Sequence, residues 1–264
     1  MNRGNWVRSM GLSEDGSLFV EIDTGNTLYD SCRDTFLSTP RIVYPQDLMR
    51  IENRNLYHSF ASTLNEISAI MYGSAYDGSY EFRKGDVVVD AGARIGTFSA
   101  KASLAVGDEG KVIAIEPEPH NYDYLLKNIE VNKWKNVVAV RKMLWSKKRE
   151  LNLHLSGYNA AHSAYRNEFY NCMGGSIAVE ADTLDSILDA LGIGAVDFIK
   201  MDIEGSEIEA LKGMNKTLLS DVQMAIAAYH PIGSRLTHRV IIPRLERLGF
   251  KVTYTEDGIV QARR

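Results

Sequence analysis

Cysteine is scarce in this chain. The 264 residues hold only Cys32 and Cys172, far apart in sequence. Two such thiols do not make a disulfide framework, and they read as packing residues in a reduced, cytoplasmic setting. A long hydrophobic run is missing too. No stretch approaches the roughly 18 unbroken apolar residues that span a bilayer. The opening MNRGNWVRSMGLSEDGS lacks the apolar core of a signal peptide. There is no excess of positive charge. The formal net charge of −4 gives no general pull toward nucleic acid. Internal repeats and low-complexity segments are absent as well, and nothing fixes an oligomeric state, so self-association stays open.

What remains is an ordinary globular composition, 45% hydrophobic and 24% charged, long enough to bury a sizeable core. From residue 86 onward, short β-branched runs alternate with helical patterns. The runs are DVVVDA (86–91), KVIAIE (111–116), NVVAVR (136–141), VDFIKM (196–201) and VQMAIAA (222–228). Apolar strands of this kind are buried on both faces, as in a parallel sheet covered by helices. Helices are expected at 95–106, 118–132, 183–191, 204–214 and 234–248. The expected fold is a doubly wound, mostly parallel α/β sheet. FKVTYT (250–255), the turn Glu256-Asp257-Gly258 and IVQARR form a hairpin, so the last strand runs antiparallel to its neighbours. ELNLHL alternates like a strand, and the polar, aromatic stretch after it reads as a long loop. Residues 1–84, with a hairpin around Thr24-Gly25-Asn26 and helical stretches after it, read as a cap on a catalytic domain spanning 85–264.

In open α/β sheets, ligands bind outside the carboxyl ends of the strands. The first such strand ends at Asp90, followed by Gly92-Ala93-Arg94-Ile95-Gly96. A dinucleotide fingerprint, G-x-G-x-x-G, wants its second glycine where Arg94 stands. Asp90 opposes a phosphate and suits a cation, and Gly92 permits close backbone approach. S-adenosylmethionine (SAM) offers an ammonium and a sulfonium and has no phosphate. Glu116, 26 positions after Asp90 at the end of the next strand, suits its ribose hydroxyls.

These residues resemble the FkbM family of SAM-dependent methyltransferases, within the class I methyltransferase fold. The resemblance rests on GDVVVDAGARIGTFSA (85–100), GKVIAIEPEPHNYDYLLKNIEVNKWKNV (110–137), TLDSIL (183–188) and DFIKMDIEGSEIEALKGM (197–214). It covers about 180 residues, from 85 to 264. It implies a seven-stranded class I sheet, SAM as cofactor, and methylation of a hydroxyl on a small molecule, sugar or glycan. The cofactor set it implies is Asp90, Gly92, Ala93, Arg94, Gly96, Glu116, Pro117, Met143, Leu144 and Asp202. The chain departs from the family where Arg94 replaces the usual asparagine, and where Met143-Leu144-Trp145 replaces alanine-valine-serine.

Methyl transfer to an alcohol also needs a base. The candidates at strand ends are His230, Asp202 and Glu204. His230 has the best unperturbed pKa, and a nearby sulfonium would keep it neutral. Lys200 stands mid-strand, where it is expected to pair with an acid. No metal is expected, since Asp202-x-Glu204 lacks a second acidic-asparagine pair and the six histidines lack zinc spacing. The loop 156–175, with Tyr158, His162, Tyr165, Phe169 and Tyr170, is expected to close over the acceptor. Two alternatives compete. Residues 133–149 hold seven Lys and Arg with Trp134 and Trp145, a strip that an RNA methyltransferase could use. The other alternative is a nucleoside-binding module without turnover.

Overall fold

A computed structural model of the chain describes residues 7–15, 17–30, 63–74, 76–156, 161–165, 175–233 and 235–264. Its centre is a seven-stranded sheet built from the expected β-branched runs. In chain order these strands are β4 (Val87–Ala91), β5 (Lys111–Ile115), β6 (Val137–Val140), β10 (Phe198–Met201), β11 (Gln223–Ala227), β14 (Lys251–Tyr254) and β15 (Ile259–Arg263). Across the sheet they run β14-β15-β11-β10-β4-β5-β6. Only β15 is antiparallel, lying between β11 and β14. This is the seven-stranded arrangement implied by the family resemblance. All four residues of β10 are buried, as a central strand covered on both faces requires.

The helices are α1 (Thr97–Val106), α2 (Pro119–Asn132), α3 (Leu184–Ala190), α4 (Glu207–Lys212) and α5 (His238–Arg247). Local chemistry sets their ends. Glu118 caps α2 by accepting the Asn121 N–H at 2.6 Å, and Pro119 supplies a fixed φ in the first turn. Lys133, at φ 55°, ends the helix in the left-handed region. Thr183 caps α3 through the Ser186 N–H.

Two smaller sheets flank the centre. Met143–Leu144 (β7) is not a continuation of β6. It pairs in parallel with β9 (Ser176–Asp182), which also pairs with β8 (Arg149–His154). A two-strand ladder, β12 (Pro231–Ile232) with β13 (Arg235–Leu236), follows β11.

The N-terminal strands β1 (Val7–Leu12), β2 (Leu18–Ile22) and β3 (Thr27–Asp30) form a meander whose buried Leu18, Val20, Ile22 and Leu28 belong to the same core cluster as Val88, Phe98 and Phe198. The edge of β3 is covered by two asparagines of α2. Asn128 Oδ1 accepts the Tyr29 N–H at 2.7 Å, and its amide donates to the Tyr29 carbonyl at 3.0 Å. Asn132 does the same for Thr27, at 2.6 and 2.7 Å. The side chains thus supply the hydrogen bonds a further strand would supply, and the edge has no open ladder at these residues. Helical turns over 63–72 pack beside α1.

Candidate active site

A cleft of about 560 Å³, counting space open to solvent, lies at the carboxyl ends of β4, β5 and β10. Of the residues expected at the cofactor, Gly92, Arg94, Glu116, Pro117, Met143, Leu144 and Asp202 line it. Asn121, Lys142, Leu153, His162, Ile203 and Ser206 join them, none placed at the cofactor by the sequence. Asn121 carried the clearest signal, in the EPEPHN run that begins α2.

Asp90, Ala93 and Gly96 lie behind this wall. Asp90 is 0% exposed. Its Oδ2 accepts from Ser99 Oγ at 2.7 Å, and Oδ1 faces Lys200 Nζ at 3.1 Å. The expected direct approach of Asp90 to a cationic ligand is therefore corrected, because its charge is already met inside the protein. Lys200 is the mid-strand cation that needed an acid. Burial works against its charge, but Asp90, and then Asp202, outweigh burial and raise its pKa. Its ammonium also donates to the Gly92 carbonyl at 2.8 Å, so the pair braces the glycine turn. Ala93 is buried, and its N–H donates to the Ile115 carbonyl. Gly96 has φ +91°, a conformation that side-chain-bearing residues rarely adopt, and an added Cβ would also crowd Leu125 at 2.7 Å.

Gly92 has φ +77°, and a Cβ there would stand 1.8 Å from the Asp202 carbonyl oxygen. Its missing side chain is demanded first by the neighbouring strand end. Arg94 is also in the left-handed region, at φ 51°. Its backbone N–H donates to Glu116 Oε2 at 2.9 Å, while its guanidinium holds Asp30 at 2.7 Å and Glu66. The arginine that departs from the family thus ties the cofactor turn to the N-terminal region. Glu116 Oε1 accepts the Glu118 N–H at 3.0 Å. Burial pushes the Glu116 carboxyl up to about 7, although both backbone donors favour the ionised form.

At the β10 end of the cleft, the turn Asp202-Ile203-Glu204-Gly205 wraps around the Glu207 carboxylate. Glu207 Oε1 accepts the N–H groups of Ile203 at 3.1 Å and Gly205 at 3.2 Å. Glu204 takes φ 53°, a strained position for a residue with a side chain. His230, 3% exposed, enters from the end of β11. Its Nδ1 lies 3.0 Å from Glu207 Oε1, and its Nε2 lies 3.5 Å from both Asp202 Oδ1 and Glu204 Oε2. Tyr76 donates its hydroxyl to Asp202 Oδ2 at 2.6 Å. The three candidate bases therefore form one cluster. Burial alone would lower the His230 pKa, but Glu207, then Asp202 and Glu204, raise it to about 9. In the unliganded cleft these carboxylates favour the protonated ring, whereas the expected neutral imidazole belongs to a cleft with a sulfonium beside it. Burial, and then the Asp202 charge, push Glu204 up to about 8.

The acceptor-loop expectation is only partly visible. His162 lines the cleft, with its Nδ1 accepting the Ser156 N–H at 3.0 Å. Tyr165 lies 6.0 Å from the Trp145 ring. Tyr158, Phe169 and Tyr170, like Cys32 and Cys172, fall outside the described residues. The basic strip does not form an aromatic platform. Trp134 is buried with its indole N–H on Asn26 at 2.7 Å, and Lys142 pairs with Asp182 at 2.7 Å. Among the described residues, no helix is long and apolar enough to cross a membrane.

Comparison with known proteins agrees with this geometry. Residues 90–252 match the Methyltransferase FkbM domain. The chain is 28% identical to Methyltransferase sdnD of Sordaria araneosa over 63% of its own length and 74% of that protein. It is also 28% identical to the Hexuronic acid methyltransferase AglP of Haloferax volcanii, over 57% of its own length and 58% of that protein. Among solved structures, a SAM-dependent methyltransferase from Aquifex aeolicus is 17% identical, with a TM-score of 0.45 over 77% of this chain and 95% of that one. Aeropyrum pernix fibrillarin, with natively bound SAM, is 12% identical, with a TM-score of 0.46 over 97% of each chain. The glycine turn, the strand-end carboxylates and a family match over more than half of the sequence converge, and the chain belongs to the FkbM family of SAM-dependent methyltransferases.

Proposed function

We propose that the chain transfers the methyl group of SAM to a hydroxyl oxygen of a sugar or another small hydroxylated molecule. The observation that carries this reading is one cleft with two chemically distinct ends. Glu116 stands at one end, and Asp202 with Glu204 at the other. On this reading Glu116 takes the ribose hydroxyls of SAM, and Pro117, Met143 and Leu144 flank the adenine. The Gly92 turn, braced by Lys200 and Asp90, takes the methionine end. The methyl group then faces the cluster of Asp202, Glu204 and His230.

Displacement at a sulfonium is in-line, so alignment at about 3–3.5 Å supplies much of the rate. The acceptor oxygen forms the new O–CH₃ bond, and the S–CH₃ electron pair stays on sulfur. The hydroxyl proton passes to the cluster. Asp202 Oδ1 is suited to take it, because it has no hydrogen-bond partner and belongs to a cleft-lining residue. Residues 1–84 act as a cap, tied to the cofactor turn through Arg94. The similarity to a hexuronic acid methyltransferase supports a sugar-type acceptor. The two widely spaced cysteines fit a cytoplasmic location.

A methyl-transfer screen with labelled SAM against sugars, uronic acids and hydroxylated metabolites tests the reading. Labelled O-methyl product is expected with wild type. Asp202→Asn should cut kcat by about 10²–10⁴-fold with little change in affinity for S-adenosylhomocysteine (SAH), the demethylated product. Label transferred to RNA and to none of the hydroxylated small molecules would overturn the acceptor assignment.

A further inference from the structure

His230 has an odd environment for a buried histidine. Its Nδ1 is held by Glu207, which is fixed in turn by two backbone N–H groups. Its Nε2 is buried, has no hydrogen-bond partner, and points between two carboxylates that are 22% and 20% exposed at the cleft. One oxygen of each carboxylate and a ring nitrogen all lie within 4.8 Å of one another.

The geometry points to a divalent transition-metal site formed by Asp202, Glu204 and His230, with an open side for the acceptor hydroxyl. Ligand atoms about 2.1–2.2 Å from a shared ion, at a near-tetrahedral angle, stand about 3.5 Å apart. That is the separation of Nε2 from both carboxylate oxygens. The rest of the surroundings fit the same role. A carboxylate on the far nitrogen of a ligating imidazole orients the ring and raises its basicity, as Glu207 would here. The Tyr76 hydroxyl fixes Asp202 through its other oxygen. Glu204 is turned into the cluster by a left-handed backbone, and its carbonyl accepts from Ser163 Oγ at 2.5 Å. One imidazole with two carboxylates suits Zn²⁺, which takes mixed nitrogen and oxygen ligands, or the more tolerant Mn²⁺, better than Mg²⁺, which prefers all-oxygen sites.

The use of this ion to hold and acidify the acceptor hydroxyl rests on the methyl-transfer reading; the binding of the ion does not. The hydroxyl oxygen would take the open coordination position. With the ion bound, Asp202 Oδ1 would be a ligand and not the base, and the hydroxyl proton would leave to solvent as the O–CH₃ bond forms and the S–CH₃ pair stays on sulfur.

The test needs no acceptor. Chelator-stripped full chain is titrated with MnCl₂, with bound and free ion followed by electron paramagnetic resonance. One ion per chain is expected, with ¹⁴N coupling from an imidazole. Asp202→Asn, Glu204→Gln and His230→Ala should each abolish stoichiometric binding. Glu207→Gln should weaken it by about 10–100-fold. Thermal melting of each variant reports that the fold survives. No stoichiometric Mn²⁺ or Zn²⁺ binding up to about 1 mM, the scale of negligible affinity, would overturn the site. So would binding undiminished in the three folded variants. Ion binding without methyl transfer to any hydroxyl would instead fault the acceptor reading and leave the site standing.

Discussion

With Glu116 on the ribose hydroxyls of SAM, as proposed above, cofactor affinity is expected to depend on pH. Burial holds its carboxyl near 7 in the empty cleft, above the usual 4.5. Each oxygen accepts one backbone N–H, and the Asn121 side chain also donates to the carboxylate. Two ribose hydroxyls bind an ionised carboxylate more strongly than a protonated one. The ligand therefore stabilises the ionised form, and binding below neutrality releases a proton. For one such group, the apparent Kd of SAH should rise about twofold at pH 7 and about tenfold at pH 6, relative to its alkaline plateau. Calorimetry from about pH 5.5 to pH 8, in buffers of differing ionisation heat, reads both the affinity and the proton count, close to one near pH 6. Glu116→Gln should bind about 1–3 kcal/mol more weakly at the plateau and lose this slope. The sign for folding is opposite. A carboxyl whose folded pKa is raised contributes stability below its unfolded value of 4.5, and that contribution fades as pH rises through about 7. The empty protein should accordingly melt higher at pH 5 than at pH 7.5 in this term, and SAH should narrow the gap. A wild-type affinity flat in pH, or the same slope in Glu116→Gln, would falsify the assignment.

Three further perturbations follow from the packing around the cleft. Gly92→Ala forces a Cβ onto the Asp202 carbonyl at a positive φ, and should cost on the order of 3 kcal/mol in denaturant melts or prevent folding. Asn128→Ala strips Tyr29 of both side-chain hydrogen bonds and the Ile95 carbonyl of another. A loss of about 2–4 kcal/mol is expected in the urea midpoint, with a cost below 0.5 kcal/mol counting against the asparagine-covered edge. Lys200→Met leaves Asp90 buried without its cation and should destabilise by about 3–5 kcal/mol, with Asp90→Asn in the same chain restoring part of it. No recovery in the double variant would show that the pair is not coupled.

Residues 85–264 were legible because their signals are local. Valine-rich strands, the EPEP cap of α2 and the Gly258 turn each follow from a few neighbouring residues, and helix ends moved by only a few positions. The detour at Met143–Leu144 was not legible, because those two residues pair with Ala181–Asp182, far along the chain. The same holds for the site. Glu116 lines the cleft, as its place at the end of a strand in the sequence led one to expect. Asp90 was misjudged because its partner Lys200 lies on another strand, and only the register that sets Lys200 beside Asp90 shows the charge is spent. The His230 environment was missed because Glu207 reads as an ordinary first-turn helix residue. Arg94 gave the one local hint of the contact with Asp30 and Glu66, as an arginine where a smaller side chain was expected.

The position of β15 sets an order of assembly. It is the strand formed last in sequence, yet it lies inside the sheet, between β11 and β14. Until residues 259–263 leave the ribosome, β11 has an open edge and β14 has nothing to pair with. The Ala228 N–H, next to Tyr229 and His230, also waits for the Gly258 carbonyl, and the Tyr229 ring packs where Gly258 has no side chain. His230 is therefore fixed only once residues 258–263 are in place, after the strands that carry Gly92, Glu116 and Asp202.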